Sequence, residues 1–142
     1  MERFRFLEKI AIADIAFQAY GATMEELFES AALATFEAMA DLETVEEKEK
    51  EFLQLKSQKI EDLLFDWLSE LVYLKDAKAM LFRSFKLKID DKRKYQLKAE
   101  ARGEKINPAK HKLRTDVKAV TYHMLEVKRE KGRWIAQVIL DI

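Results

Sequence analysis

Residues 116–142 read DVKAVTYHMLEVKREKGRWIAQVILDI, and the fold turns on this stretch. It holds two β-rich runs, 116–128 and 134–142, separated by a charged turn at Glu130, Lys131 and Gly132. A Gly-containing turn between two such runs predicts a hairpin. Side chains alternate along a strand. Trp134, Ala136, Val138 and Leu140 therefore share one face, and Ile135, Gln137, Ile139 and Asp141 the other. The second run stays apolar almost to its end. It then sets Asp141 at the rim of a sheet, beside the carboxylate of Ile142. Chain ends usually fray, so a strand this apolar is one the rest of the chain must cover.

Around that hairpin the 142 residues suit one domain, 1–142, with a sizeable core. No run of about 20 apolar residues is present, so no membrane helix is expected. Glu2, Arg3 and Arg5 without an apolar stretch behind them argue against a signal peptide. The absence of cysteine excludes disulfides and thiolate metal sites, and fits a cytoplasmic protein. Charge is unevenly placed although the formal net charge is zero. Residues 1–75 hold 8 Lys plus Arg against 17 Asp plus Glu, a net of −9; residues 76–142 hold 18 against 9, a net of +9. A basic half suits RNA or an acidic partner. It equally suits solvated strand faces that discourage edge pairing.

Residues 4–8 read as a first strand and 15–20 as a second that stops at Gly21, with the small apolar segment 9–13 between them. Asp14 interrupts apolar sequence with no turn signal around it. Asp is depleted in strands, and an unpaired buried carboxylate is costly, so Asp14 calls for a partner or a backbone N–H. Thr23 and Glu26 form a capping box. The helix that follows carries Leu27, Phe28, Ala31, Ala32, Thr35, Phe36 and Met39 at helical spacing, which predicts a core-facing stripe. Asp41 comes straight after it, where the helix dipole disfavours an anion unless it points away or meets a cation. Residues 45–56 read as an exposed edge strand, with a helical continuation as the alternative. Ser57 is a candidate cap for a second helix over 60–74, striped by Leu63, Leu64, Trp67, Leu68, Leu71 and Leu74.

From Leu81 the period becomes two. Phe85, Leu87 and Ile89 alternate with lysines, Asp90 to Lys92 turn, and Tyr95, Leu97, Ala99 and Ala101 alternate again. A basic loop follows, with Lys105, Lys110, His111, Lys112 and Arg114. The order is strand, strand, helix, strand, helix and four strands. That predicts an α+β fold in which two helices pack on a largely antiparallel β-sheet.

Motifs of chemistry are mostly missing. There is no Gly-rich phosphate loop, no nucleophile elbow, no His-Glu-x-x-His pair and no aromatic-Gly-basic run of an RNA-recognition module. What remains is carboxylate: Asp14, Asp41 and Asp141, each at or near an element end, are candidates to hold a hard cation.

Over nearly its full length the chain resembles archease. The matching pieces are Phe6-Leu7-Glu8, Ala13-Asp14-Ile15 and Tyr20-Gly21; Met39 followed by Asp41; the run Asp66 to Leu71; Ala101-Arg102-Gly103-Glu104; Lys118 to His123; and Val138 to Ile142. Where the family usually has His and Thr before the Ala-Asp pair, this chain has Ala11 and Ile12. The resemblance implies an accessory protein that helps an RtcB-type tRNA-splicing ligase become guanylylated from GTP and turn over repeatedly, not an enzyme itself. It also implies a divalent-metal site at Asp14, Asp141 and the main-chain carbonyl of Ile142, with Asp41 at a further acidic position nearby. Oxygen donors of this kind suit Ca²⁺, and also Mg²⁺ or Mn²⁺. Lys118, Thr121, Tyr122 and His123 are expected beside that cluster, shaping the partner surface. The other reading is an RNA-binding or chaperone-like module that holds tRNA or a tRNA-modifying enzyme through the basic C-terminal half, with residues 105–118 as the segment that touches RNA.

Overall fold

The computed structural model describes residues 2–7 and 14–142. Its elements are β1 (Phe4–Leu7), β2 (Asp14–Gly21), α1 (Met24–Glu37), a 3-10 turn (Leu42–Thr44), β3 (Glu49–Ser57), α2 (Ile60–Lys78), β4 (Met80–Asp90), β5 (Tyr95–Lys105), β6 (Ala119–Val120), β7 (Glu126–Glu130) and β8 (Arg133–Asp141). The class is α+β, as the strand and helix order predicts. The strands form two sheets, not one. The first runs β1-β2-β8-β6, with β7 also paired to β8; the second runs β3-β5-β4. Every pairing is antiparallel.

The apolar strand of the last hairpin, β8, is central in the first sheet. Its Ala136, Val138 and Leu140 are buried in the core, and Phe17 and Ala19 of β2 join them on the same face. Against these pack Leu27, Phe28 and Phe36 of α1 and Leu63, Leu64, Trp67, Leu68 and Leu71 of α2, while Phe82, Phe85 and Leu97 come from the second sheet. Phe36 meets Phe82 edge-on with centroids 5.5 Å apart, and Trp67 meets Phe85 at 5.9 Å. Burying Trp67 requires a partner for its indole N–H. It donates to the Phe28 carbonyl at 3.0 Å, which fixes α2 against α1.

Local signals are honoured with adjustments. Thr23 caps α1, its hydroxyl oxygen accepting the Glu26 N–H at 3.1 Å. Glu26 reaches back to the N–H of Ala22, not of Thr23. Ser57 is not the cap of α2. Lys59 holds that position without a side-chain bond, and the Ser57 hydroxyl donates to Asp66 at 3.2 Å instead. The run 116–128 is not a single strand. Thr121 turns its N–H and its hydroxyl onto the Ile139 carbonyl, and the Leu125 N–H then closes on Tyr122 at 3.2 Å. Met124 takes φ 54° inside that turn, so the run divides into β6 and β7, both beside β8. At the hairpin tip Lys131 and Gly132 both have positive φ, 54° and 78°. That is the two-residue turn whose twist matches its strands. Glu8 and the segment 9–13, with Ala11 and Ile12, lie outside the described residues.

Candidate metal centre and the surface beside it

The β2–β8 ladder runs in register from Gly21 opposite Trp134 to Asp14 opposite Asp141. Residues directly opposite in an antiparallel pair project to one side with Cβ atoms about 5 Å apart. The two carboxylates are therefore neighbours at the end of the sheet. Alternation puts them on the face away from the helices, since Ile15 and Leu140, the adjacent pair, point to the core side. Ile142 likewise packs its side chain toward the core, leaving its main chain at the rim next to the acidic pair. On the other flank of β8, Ala119 is the partner of Asp141, and the Lys118 N–H donates to the Asp141 carbonyl at 2.8 Å.

Asp41 is placed differently. Its carboxylate accepts the Glu43 N–H at 3.1 Å and caps the 3-10 turn, while its own N–H donates to the Lys112 carbonyl at 2.9 Å. That answers the dipole objection to an acid after α1: the anion faces the start of a new turn. Among the described residues no three His, Cys, Asp or Glu side chains come together as a metal-holding group. The geometry thus joins Asp14 to Asp141 and does not add Asp41 as a third carboxylate. Two opposed carboxylates and a rim carbonyl are hard oxygen donors, and they fit a divalent cation completed by water.

Lys118, Thr121, Tyr122 and His123 follow the acidic end along β6 and into the turn after it. Thr121 is committed to the Ile139 carbonyl. Tyr122 is 56% exposed. Its ring nevertheless stacks on Phe65 of α2 with centroids 3.9 Å apart, and its hydroxyl donates to Asp62 at 3.2 Å. Partial burial and the nearby Asp62 and Asp66 carboxylates push the Tyr122 phenol above its ordinary pKa, so it stays neutral. Lys118 and His123 are exposed. A groove of about 350 Å³ opens between α2 and β6, lined by Phe65, Ser69, Val72, Tyr73, Asp76 and Lys118. Lys75, buried on α2, donates to the Asp116 carboxylate at 2.6 Å and the Val117 carbonyl at 3.1 Å, which fixes the segment entering β6. Burial opposes its charge, but Asp116 and Asp76 outweigh that and raise its pKa.

The residue cluster that motif reading missed is Glu104 and His111. Glu104, buried at the end of β5, accepts the Glu46 N–H at 2.6 Å, His111 Nε2 at 2.9 Å and Lys110 Nζ at 2.9 Å. The Asn107 N–H donates to His111 Nδ1 at 2.9 Å, so the ring proton lies on Nε2 and is given to Glu104. The His111 bond above all, then the Glu46 and Lys110 bonds, hold the Glu104 carboxyl down at about 2 against the effect of burial. His111 reads in sequence as part of a basic loop; only a buried acid seven residues earlier would have marked it as structural.

This is an α+β domain whose first sheet ends in an acidic pair. The chain matches the Archease protein family (MTH1598/TM1083) over residues 4–142. It is 45% identical to protein archease of Methanosarcina mazei, covering 99% of this chain and 97% of that one. It is 42% identical to protein archease of Pyrococcus furiosus, covering 92% and 93%. The solution structure of protein 1598 of Methanobacterium thermoautotrophicum superposes with a TM-score of 0.86 at 41% identity, covering both chains completely. The crystal structure of an archease, possible chaperone, from Thermotoga maritima shares the fold with a TM-score of 0.64 at 23% identity, covering 93% of each. The chain belongs to the archease family. Among its described residues no helix is long and apolar enough to cross a membrane.

Proposed function

We propose that this protein is an accessory factor, not a catalyst, that promotes guanylylation and repeated turnover of an RtcB-type tRNA-splicing ligase in the cytoplasm. The observation that carries this reading is the cross-strand opposition of Asp14 and Asp141 in a chain of the archease family. Asp14, Asp141 and the Ile142 carbonyl would hold a divalent cation, Ca²⁺ first and Mg²⁺ or Mn²⁺ as substitutes. The cation would supply a positive charge with oxygen-ligand positions still open to a partner. The chain's own residues do the rest. β2 and β8 hold the acidic pair in register, and the Lys118 N–H pins the Asp141 carbonyl from the other side. Exposed Lys118, Tyr122, His123 and Met124 supply a docking surface next to the pair. Asp41 keeps a supporting role, as the cap of the turn that anchors residues 112–115.

Calorimetric titration with calcium and manganese tests the site directly. Wild-type protein binds one ion per chain, and Asp14→Asn and Asp141→Asn, nearly the same shape, weaken binding about tenfold or more while melting normally. Unchanged metal affinity in both variants would remove the metal from the proposal.

A further inference from the structure

The second sheet has one face on the core and one on solvent. Its register places twelve side chains on the outer face in four cross-strand rows: Lys50, Arg102 and Ser84; Phe52, Glu100 and Lys86; Gln54, Lys98 and Lys88; Lys56, Gln96 and Asp90. Six of these are basic and two acidic. Phe52, in the second row, is 76% exposed. Phe52, Lys86, Lys88, Lys98 and Glu100 line a shallow groove of about 350 Å³.

The charges on this face are largely uncommitted. Arg102 pairs with Glu100 at 2.6 Å. Among the described residues the five lysines of the face make no ion pair, although Lys86 shares its row with Glu100 and Lys88 shares one with Lys98. The basic segment 105–118 is more committed, with Lys112 and Lys118 left without a side-chain partner among the described residues. Its Lys110 is held by Glu46 and Glu104, its Arg114 by Glu37, and its Lys105 by the Lys78 carbonyl. Edge protection accounts for lysines on strands. It does not account for a bare phenylalanine among them, which is what edge protection avoids.

We infer that the outer face of the β3-β5-β4 sheet binds single-stranded polynucleotide. The lysines take the phosphates, and Phe52 offers its ring to an unpaired base. Backbone tracking by cations combined with base stacking on an aromatic is how strands without fixed sequence are held. The face from Gln96 to Arg102 extends about 20 Å along the strands, enough for a few nucleotides. A duplex does not fit this chemistry, because its bases are already stacked. Glu100 sits among Arg102, Lys50 and Lys86, which hold its pKa down. This inference stands on the second sheet alone and does not depend on the ligase or metal reading.

The test is fluorescence anisotropy of a labelled oligouridylate of about 12 nucleotides, titrated with full-length protein at several salt concentrations. Expected is saturable binding that weakens steeply with salt. Phe52→Ala should lower affinity about tenfold or more. Lys86→Glu with Lys98→Glu should flatten the salt dependence by about 0.7 in log-log slope for each phosphate that is no longer neutralised. These positions are exposed, so thermal melts of the variants should match wild type. Lys112→Glu, in the loop, should leave binding unchanged. Absence of binding at low salt would overturn the inference. So would an unchanged affinity in Phe52→Ala, equal competition by duplex, or stronger competition by polyglutamate, which would mark the face as a dock for an acidic protein.

Discussion

Glu104 is a buried carboxylate held by three donors from two other segments, and its chemistry sets a pH dependence. It ties the segment before β3 to the loop after β5 through the Glu46 N–H, Lys110 and His111. Its folded pKa is about 2 against an ordinary 4.5. A depressed folded pKa means that the anion stabilises the fold fully above the unfolded value and loses that effect as pH falls from about 4.5 toward 2. Wild-type protein should therefore lose melting temperature progressively across that window. Glu104→Gln should melt lower than wild type at pH 7 and show a flatter acid limb. Thermal melts of both proteins from pH 7 to pH 2 check this; parallel acid limbs would show that another carboxylate is responsible.

Among the elements, the pairing of β4 with β5 depends on a residue with no side chain. A Cβ on Gly103 would lie 1.8 Å from the Leu81 carbonyl oxygen, a backbone atom that cannot swing away. β4 bulges beside this point, its register shifting between Phe82 and Ser84. Gly103→Ala should cost about 3 kcal/mol or more in urea denaturation, through overpacking against main chain. A near-neutral result would mean that the bulge can move. The sequence could not show this, because a glycine in an alternating strand does not name the carbonyl above it. Periodicity did disclose both helices, the β4–β5 hairpin and the central place of β8, since each buries a regular stripe. It did not disclose the division into two sheets, which depends on pairing between distant strands. It also missed the break at 121–125, where Thr121 bonds Ile139 in place of continuing the ladder. At the site, Asp14 stood out as an acid in apolar sequence and Asp141 as the end of an apolar strand. Their meeting depends on β2–β8 register, which no spacing in sequence contains. Asp41 joins them in sequence as an acid at a helix end and through the archease resemblance; in the fold its carboxylate accepts the Glu43 N–H, a purely local bond.

Across the whole molecule, two charged surfaces cut across the two halves of the chain, Asp141 coming from the basic half and Lys50 and Lys56 from the acidic half. The acidic pair closes the first sheet, and the free lysines cover the outer face of the second. Aromatic packing of α1 and α2 lies between the strands that carry them. Asp14 and Asp141 lie outside that packing. Substitutions at the acidic pair should therefore separate function from folding. The measurement that bears most directly on the account is guanylylation of the cognate ligase, followed as label transferred from GTP, with wild-type protein, Asp14→Asn or Asp141→Asn added at equal folded concentration. Expected is stimulation by wild type and a drop of at least about tenfold in it with either variant, each melting as wild type does. Normal stimulation by both variants, or none by wild type, would contradict it.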